Sequence, residues 1–207
     1  MNTNDTQHAL VTRLRFPEFR DATSWHEVEV LEVANVTAGQ SPRGEYYNDT
    51  GDGTPFYQGK TDFGDLFIDL PTKWTTQVTR LANEGDILMS VRAPVGALNV
   101  STQYICIGRG LAALQAKEHK LFLYYLLLQV SHLFVGNGGS VFDSINKSQI
   151  ESTQIPFPPT DAEQRKIAEC LCSLDDLIAA EGRKLAALRE HKKGLMQQLF
   201  PRESETQ

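Results

Sequence analysis

A stripe with a period of 3.5 residues constrains this chain more than any other feature. It occupies Ile167, Leu171, Leu174, Ile178, Glu181, Leu185, Leu188, Lys192, Leu195 and Leu199, in alternating steps of four and three. Eight of these ten positions are apolar. That spacing keeps one face of an α-helix turned toward a second helix, the coiled-coil pattern. The 33 positions from 167 to 199 correspond to a rod of about 50 Å at 1.5 Å per residue. The opposite face is charged, with Arg165, Lys166, Glu169, Asp175, Asp176, Arg183, Lys184, Glu190 and Lys193. A preceding domain of about 160 residues has an expected radius of gyration of only about 15 Å. A rod of that size overhangs it, and an overhanging apolar stripe needs a partner. An ordinary helix packed on its own domain is the alternative. On the seam, Glu181 and Lys192 are placed to pair across an antiparallel partner and fix register.

The entry to this helix is sharply marked. Pro156-Phe157-Pro158-Pro159 holds the chain extended. Thr160-Asp161-Ala162-Glu163 follows and reads as a capping box. In that motif the Thr160 hydroxyl accepts from the Glu163 N–H and the Glu163 carboxylate reaches back to the Thr160 N–H. Pro201 ends the helix. The expected division is a flexible segment over 1–13, a globular domain over 14–157, a pairing and spacing helix over 158–201 and a disordered tail over 202–207.

The globular part reads as α+β. Trp25–Ala34 is a short mixed segment, and Thr37–Gly53 reads as loop because it is rich in Gly, Ser, Pro, Asn and Asp. Pro55–Tyr57 and Thr61–Phe63 flank a turn at Gln58-Gly59-Lys60. Short apolar runs at Asp86–Val91, Val95–Val100, Tyr104–Ile107 and Gly110–Gln115 predict a curled antiparallel or mixed sheet. Lys117–Val135 is apolar on nearly all sides and predicts a buried helix, with His132 as a satisfied core histidine. Gly136–Ser140 reads as an exposed loop.

Charge limits the function. The chain carries 20 Lys+Arg against 26 Asp+Glu, a net charge of -6. Residues 1–159 hold 12 basic and 17 acidic side chains, and residues 160–207 hold 8 and 9. A protein that coats DNA indiscriminately is normally basic, so any contact with DNA must come from a few locally placed cations. No run of 18 apolar residues occurs, which argues against a membrane span. The polar N-terminus lacks the apolar segment of a signal peptide. Three cysteines, Cys106, Cys170 and Cys172, fit reduced thiols in the cytoplasm.

Catalytic signatures fail in turn. There is no phosphate-binding glycine loop, no G-x-S-x-G elbow, and no metal-ligand spacing among the five histidines. The expectation is a binding protein without catalytic residues, metal or cofactor.

Several motifs occur in a telling order. Arg15-Phe-Pro-Glu-Phe19 precedes Trp25, then Gly39-Gln-Ser-Pro42 and Pro55-Phe-Tyr-Gln-Gly-Lys60. Gly85-Asp-Ile-Leu-Met-Ser-Val-Arg-Ala-Pro-Val-Gly96 and Ile107-Gly-Arg-Gly-Leu-Ala-Ala113 follow. Ile155-Pro-Phe-Pro-Pro-Thr-Asp-Ala-Glu-Gln-Arg-Lys-Ile-Ala168 then leads into the heptad helix. This chain resembles the DNA-specificity subunit of type I restriction–modification systems, over essentially Leu14 to Pro201. The resemblance implies a target recognition domain that reads double-stranded DNA. It also implies a helix that packs antiparallel on another, setting the spacing of two recognition domains and docking methyltransferase and restriction subunits. The usual subunit has two recognition domains and two such helices, whereas this sequence has one of each. It is therefore either a half-length subunit that dimerises or a piece of a longer chain. A two-fold dimer would read a palindrome split by a fixed spacer.

Major-groove reading favours Arg on guanine and Gln or Asn on adenine. On that basis the candidate contacts on loops are Ser41, Arg43, Gln58, Lys60, Lys73, Arg92, Arg109 and Asn137. Lys147, with Lys60 and Lys73, is a candidate for phosphate. Arg92 and Arg109 lie in motifs the family shares whatever its target, so they are expected to hold the fold or touch phosphate. Tyr46, Tyr47, Phe56, Tyr57 and Phe63 could offer stacking surfaces for bases, but they read first as core and loop packing. A scaffold module that dimerises without touching DNA is the competing function, and an unrecognised nuclease or methyltransferase is a second.

Overall fold

The computed structural model describes residues 10, 12–135 and 144–200. Contacts divide the chain into two compact units, one reaching through Lys166 and one starting at Ile167. The first, called the head below, carries three sheets.

Strand β1 (His26–Glu29) pairs antiparallel with β11 (Gln154–Phe157). A second, wholly antiparallel sheet has the order β2-β10-β7-β8, formed by Ala34–Ala38, Leu111–Ala116, Ile87–Ser90 and Leu98–Val100. The third sheet is mixed, in the order β3-β5-β4-β9-β6. Its strands are β3 (Tyr47–Asn48), β5 (Trp74–Thr75), β4 (Thr54–Tyr57), β9 (Ile105–Ile107) and β6 (Leu81–Ala82). Only β4 and β9 in it run parallel, with Phe56 opposite Cys106 and Tyr57 opposite Ile107. The expected mixed α+β head is thus observed, as three small sheets and not one curled one.

Strands β7, β8 and β9 are buried at every residue, and β10 over its first four. That is why they read as continuous apolar runs without alternation. Tyr57, Ile68, Ala82, Leu88, Ile105, Ile107, Leu111 and Ala113 pack as one core cluster, with Phe63 against it.

Helix α1 (Val30–Val33) is one turn, closed by a capping box between Glu29 and Glu32. Helix α2 (Lys120–Gln129) buries Phe122, Leu123, Tyr124, Leu126 and Leu127. It is shorter than the 117–135 expected. A 3₁₀ turn over Ser131–Phe134 replaces its end. His132 lies on that turn and is exposed, so it is not the core histidine that the apolar run implied. Helix α3 (Lys147–Glu151) is capped by Asn146, whose side chain accepts from the Gln149 amide. The stretch 37–53, expected to be loop, contains the end of β2, a 3₁₀ turn at Gly44–Tyr46 and β3.

Helix α4 spans Asp161–Leu199, 39 residues, which is about 58 Å at 1.5 Å per residue. Its start corrects the capping-box reading. The Glu163 amide does donate to the Thr160 hydroxyl, at 3.4 Å. The Glu163 carboxylate instead accepts two hydrogen bonds from the Arg15 guanidinium, both at 2.7 Å, and one from Trp25 Nε1 at 3.2 Å. Arg15 also donates to the carbonyls of Ala22 and Thr23. Glu163 is 1% exposed. A bidentate, desolvated Arg–carboxylate pair outcompetes a local backbone cap because both partners gain charge-assisted bonds. Burial pushes the Glu163 carboxyl up, but the hydrogen bonds from Arg15 and Trp25 and the Arg15 charge outweigh it. The carboxyl therefore lies below its ordinary 4.5.

Along α4, Ile167 and Leu171 are half-buried. Leu174, Ile178, Leu185, Leu188, Leu195 and Leu199 are exposed, Ile178 at 68%. Glu181 pairs along its own helix with Lys184 at 3.5 Å. The expectations for 1–9, 201–207 and the whole Gly136–Ser140 loop concern residues outside those described.

Candidate nucleic-acid interface

Strand direction gathers five loops at one edge of the head. Because β4 and β9 are parallel, Gln58–Lys60 and Gly108–Gly110 leave their carboxyl ends side by side. Strand β2 ends opposite the start of β10, with Ala38 facing Ala112. Residues 39–43 therefore emerge beside Gly110. Strand β7 ends with Ser90 opposite Leu111, which brings Val91 and Arg92 to the same place. Strand β6 starts with Leu81 opposite Cys106, so Arg80 arrives there too.

Main-chain hydrogen bonds join these loops into one rigid unit. The Gly108 amide donates to the Tyr57 carbonyl at 2.8 Å, and the Gly110 amide to the Gln58 carbonyl at 3.1 Å. Gly39 donates to Leu111, Gln40 to Ile107 and Val91 to Gly110, each at 2.9 Å. The Ile107 amide donates to the Arg80 carbonyl at 2.9 Å. Side chains add to this. The Ser41 hydroxyl donates to Gln58 Oε1 at 2.9 Å and accepts from the Arg109 amide at 3.1 Å. Gln77 Oε1 accepts from the Arg43 amide at 2.9 Å, and the Thr79 hydroxyl donates to the Gln40 carbonyl.

The approach is too close for side chains at three glycines. A Cβ on Gly39 would lie 2.1 Å from the Gly108 carbonyl oxygen, one on Gly108 2.6 Å from Gln58 Oε1, and one on Gly110 2.5 Å from the Gln58 carbonyl oxygen. Gly39→Ala is expected to cost about 1–3 kcal/mol, the range for forcing atoms into a packed site. Chemical denaturation would measure it, and an unchanged midpoint would show that the crossing can open without loss.

The predicted contacts sort as follows. Ser41, Gln58 and the Arg109 backbone are directly bonded together. Arg43, Lys60 and Arg92 lie on the same loops and are exposed. Arg43 has only a distant partner, Glu45 at 3.9 Å. Both of those groups are largely solvated, so the pair is worth little. Among the described residues, Lys60, Arg92 and Arg109 form no ion pair. The Arg92 backbone is pinned by a bridge to Ser144, and the Ser90 hydroxyl donates to the Arg92 carbonyl. Lys73 sits one strand away and is tied to Asp49 at 2.6 Å. Lys147 opens α3 and pairs with Glu151 at 3.4 Å. Its neighbour Ile145 donates to the Val91 carbonyl, which joins it to the loop edge. Asn137 lies outside the described residues.

Sequence reasoning missed Arg80, Gln40 and Gln77, because nothing local marks them. Their place follows from the pairing of β6 with β9, a long-range contact. The aromatic candidates are mostly packing. Phe56 and Tyr57 are buried, and Tyr47 stacks on Phe56 with ring centroids 4.8 Å apart. Tyr57 donates to the Asp69 carbonyl, and burial, with the nearby Asp62 charge, pushes its phenol up to about 12. Tyr46 alone among these four is exposed. Chemically, the edge offers solvated guanidinium and amide groups on a stiff frame and little else. Among the described residues no cluster of His, Cys, Asp and Glu could hold a metal ion, and no helix is long and apolar enough to cross a membrane.

A family model for the type I restriction modification DNA specificity domain matches residues 23–190. A protein of Methanocaldococcus jannaschii, provisionally named the type I restriction enzyme MjaX specificity subunit, is 37% identical over 182 residues. That match covers 83% of this chain and 42% of the relative. The MjaIX specificity subunit of the same organism is 25% identical over 167 residues, 74% of this chain and 38% of the relative. Among solved structures, the HsdS subunit from Thermoanaerobacter tengcongensis superposes with a TM-score of 0.65 at 39% identity. It covers 77% of this chain and 39% of that one. A chain from a structure describing complex assembly and conformational transition of the type I R-M system gives 0.69 at 37% identity. It covers 90% of this chain and 46% of that one. The chain thus spans less than half the length of the relatives it matches.

Proposed function

The chain belongs to the type I restriction–modification DNA specificity family, and on that premise we propose that the loop edge of its head is the surface that reads DNA. The observation that carries this reading is the convergence of five loops into one bonded frame. That frame presents Arg43, Lys60, Arg92 and Arg109 with Ser41 and Gln58. Arg43 and Gln58 suit base edges in the major groove. Lys60, Lys73, Lys147, Arg92 and Arg109 suit phosphates, which position without specifying. The chain itself performs no chemistry. It directs methyltransferase and restriction subunits of a type I complex to a bipartite target in the cytoplasm.

Helix α4 is the pairing element of this proposal. Its exposed seam takes a second helix of the same kind, and a second copy of this chain supplies one. Two heads then grip half-sites at a fixed separation. The net charge of -6 opposes DNA, so binding by the chain alone is weak and strong binding needs the methyltransferase subunits.

The test is DNA binding by the assembled complex, measured by fluorescence anisotropy across a salt series. Arg43→Ala is expected to weaken binding to the cognate site by about 5- to 150-fold, or 1–3 kcal/mol, and to relax selection at one base position. Lys60→Ala is expected to weaken all sequences alike and lower the salt slope by about one. If both variants bound like the parent, the loop edge would not be the reading surface. Tight binding by the isolated chain at physiological salt would contradict the need for partners.

A further inference from the structure

Two glutamines on the loop edge hold their side-chain amides in one orientation. The Arg43 main-chain N–H donates to Gln77 Oε1 at 2.9 Å. A main-chain N–H cannot accept, so the oxygen of the Gln77 amide faces it and the Nε2 end is turned away. The Gln77 backbone is itself tied down. Its N–H donates to the Thr75 hydroxyl at 3.1 Å, and that hydroxyl donates to the Gln77 carbonyl at 3.2 Å.

Gln58 is fixed through Ser41. The Arg109 main-chain N–H donates to Ser41 Oγ at 3.1 Å, and Ser41 Oγ lies 2.9 Å from Gln58 Oε1. With that donor on its oxygen, the Ser41 hydroxyl still has a proton to place, and Gln58 Oε1 accepts it. The Gln58 side chain also lies against the Gly108 backbone. A Cβ on Gly108 would meet Gln58 Oε1 at 2.6 Å and Cδ at 2.9 Å. Gln58 is exposed and Gln77 half-buried. Among the described residues neither Nε2 has a hydrogen-bond partner.

Each amide therefore keeps its acceptor inward and offers its two N–H donors outward. Reading adenine in the major groove takes both ends of the amide, Nε2 on N7 and Oε1 on the N6 amino group. Held this way, the glutamines lack half of that contact. Guanine O6 and N7, and thymine O4, are acceptors that satisfy an outward amino group. Cytosine offers only its N4 amino group there, and donor against donor leaves both unpaired.

We propose that Gln58 and Gln77 each select a base carrying a keto oxygen, guanine or thymine, against adenine and cytosine. This rests on the loop edge being the surface that reads DNA, and it adds Gln77 to that surface. Ser41 is a positioning residue in this account, acting on the base through the Gln58 amide.

The experiment selects bound sequences from a randomised DNA library with the assembled complex, carrying the parent chain or one variant at a time. The position that each glutamine reads is the one at which Gln58→Ala or Gln77→Ala loses selection. There the parent is expected to favour guanine or thymine over adenine by at least about fivefold, the low end for a base contact. Gln58→Glu and Gln77→Glu keep the inward oxygen and turn the outward donor into an acceptor. Selection at the same position should then pass to cytosine or adenine, whose amino groups donate, while other positions keep theirs. The added negative charge weakens all sequences alike, so it does not shift the selected base. Ser41→Ala frees the Gln58 amide to turn over, and adenine should rise to near parity at the Gln58 position and nowhere else. A parent preference for adenine or cytosine at either position, a glutamate variant that keeps the keto base, or alanine variants that lose no position would overturn the proposal. If Gln77→Glu fails to fold, Gln58→Glu and Ser41→Ala decide the matter. Arg43→Ala tells the two readings apart. If it relaxes a position while the glutamine results fail, only the amide assignment falls. If it too changes nothing, the loop edge as reading surface falls with it.

Discussion

Replacing Arg15 by methionine is expected to destabilise the head by about 3–5 kcal/mol at neutral pH, the range for breaking a buried ion pair. The cost comes from Glu163, which is 1% exposed and would keep its charge without its counter-ion. Removing both partners together, as Arg15→Met with Glu163→Leu, should recover most of the loss, because no charge is then stranded. The pH dependence has a definite sign. In the parent the Glu163 carboxyl lies below its ordinary 4.5. Its contribution is therefore full above that value and is lost as pH falls through the depressed one. In Arg15→Met the carboxyl loses its counter-charge and burial pushes it upward. The deficit against the parent should then shrink on acidification as Glu163 takes up a proton. Urea denaturation at several pH values measures this. A deficit below about 1 kcal/mol, as for a surface pair, would show that Glu163 is not held as described.

Leu174→Glu should abolish pairing through α4. The parent chain is 23.1 kDa, so a pair has a mass of about 46 kDa. Leu174 lies on the seam and is 49% exposed in the single chain. In a pair it would be covered, and a carboxylate there would be buried without a partner at a cost of several kcal/mol. Light scattering should report the monomer mass for Leu174→Glu at concentrations where the parent gives the doubled one. Ala180→Glu, on the opposite helical face, should leave the pair intact. A parent chain that stays at the monomer mass at high concentration would remove the dimer from the proposal and leave the helix seam for another partner.

The two ends of this molecule differ in how far they can be read from sequence. The heptad stripe needs only residues three and four apart, and such spacing is visible in any window of the chain. The short apolar runs of β7 to β10 were legible for the same reason, since burial on both faces imposes a continuous run. Where the reading failed, a distant group had overridden a local rule. Glu163 sits where a capping box would use it, but Arg15, 148 positions away, offers a stronger bond. The 117–135 run is apolar enough for one helix, yet the chain turns at Val130 and leaves His132 outside.

The loop edge shows the same division. The loops carrying Arg43, Gln58, Lys60 and Arg109 are marked by their Gly, Ser and Pro content, and the residues on them are types suited to reading DNA. That Ser41 bonds Gln58 and the Arg109 amide, and that Arg80 joins them, depends on β4 running parallel to β9 and on β6 pairing beside it. The chain by itself determined the long heptad-striped helix, the buried strands and the kinds of side chain on its loops, because these follow from local spacing and composition. Tertiary structure alone decided which loops meet and which carboxylate is buried. Those outcomes are set by strand direction and by competition between groups far apart in sequence, neither of which a local pattern encodes.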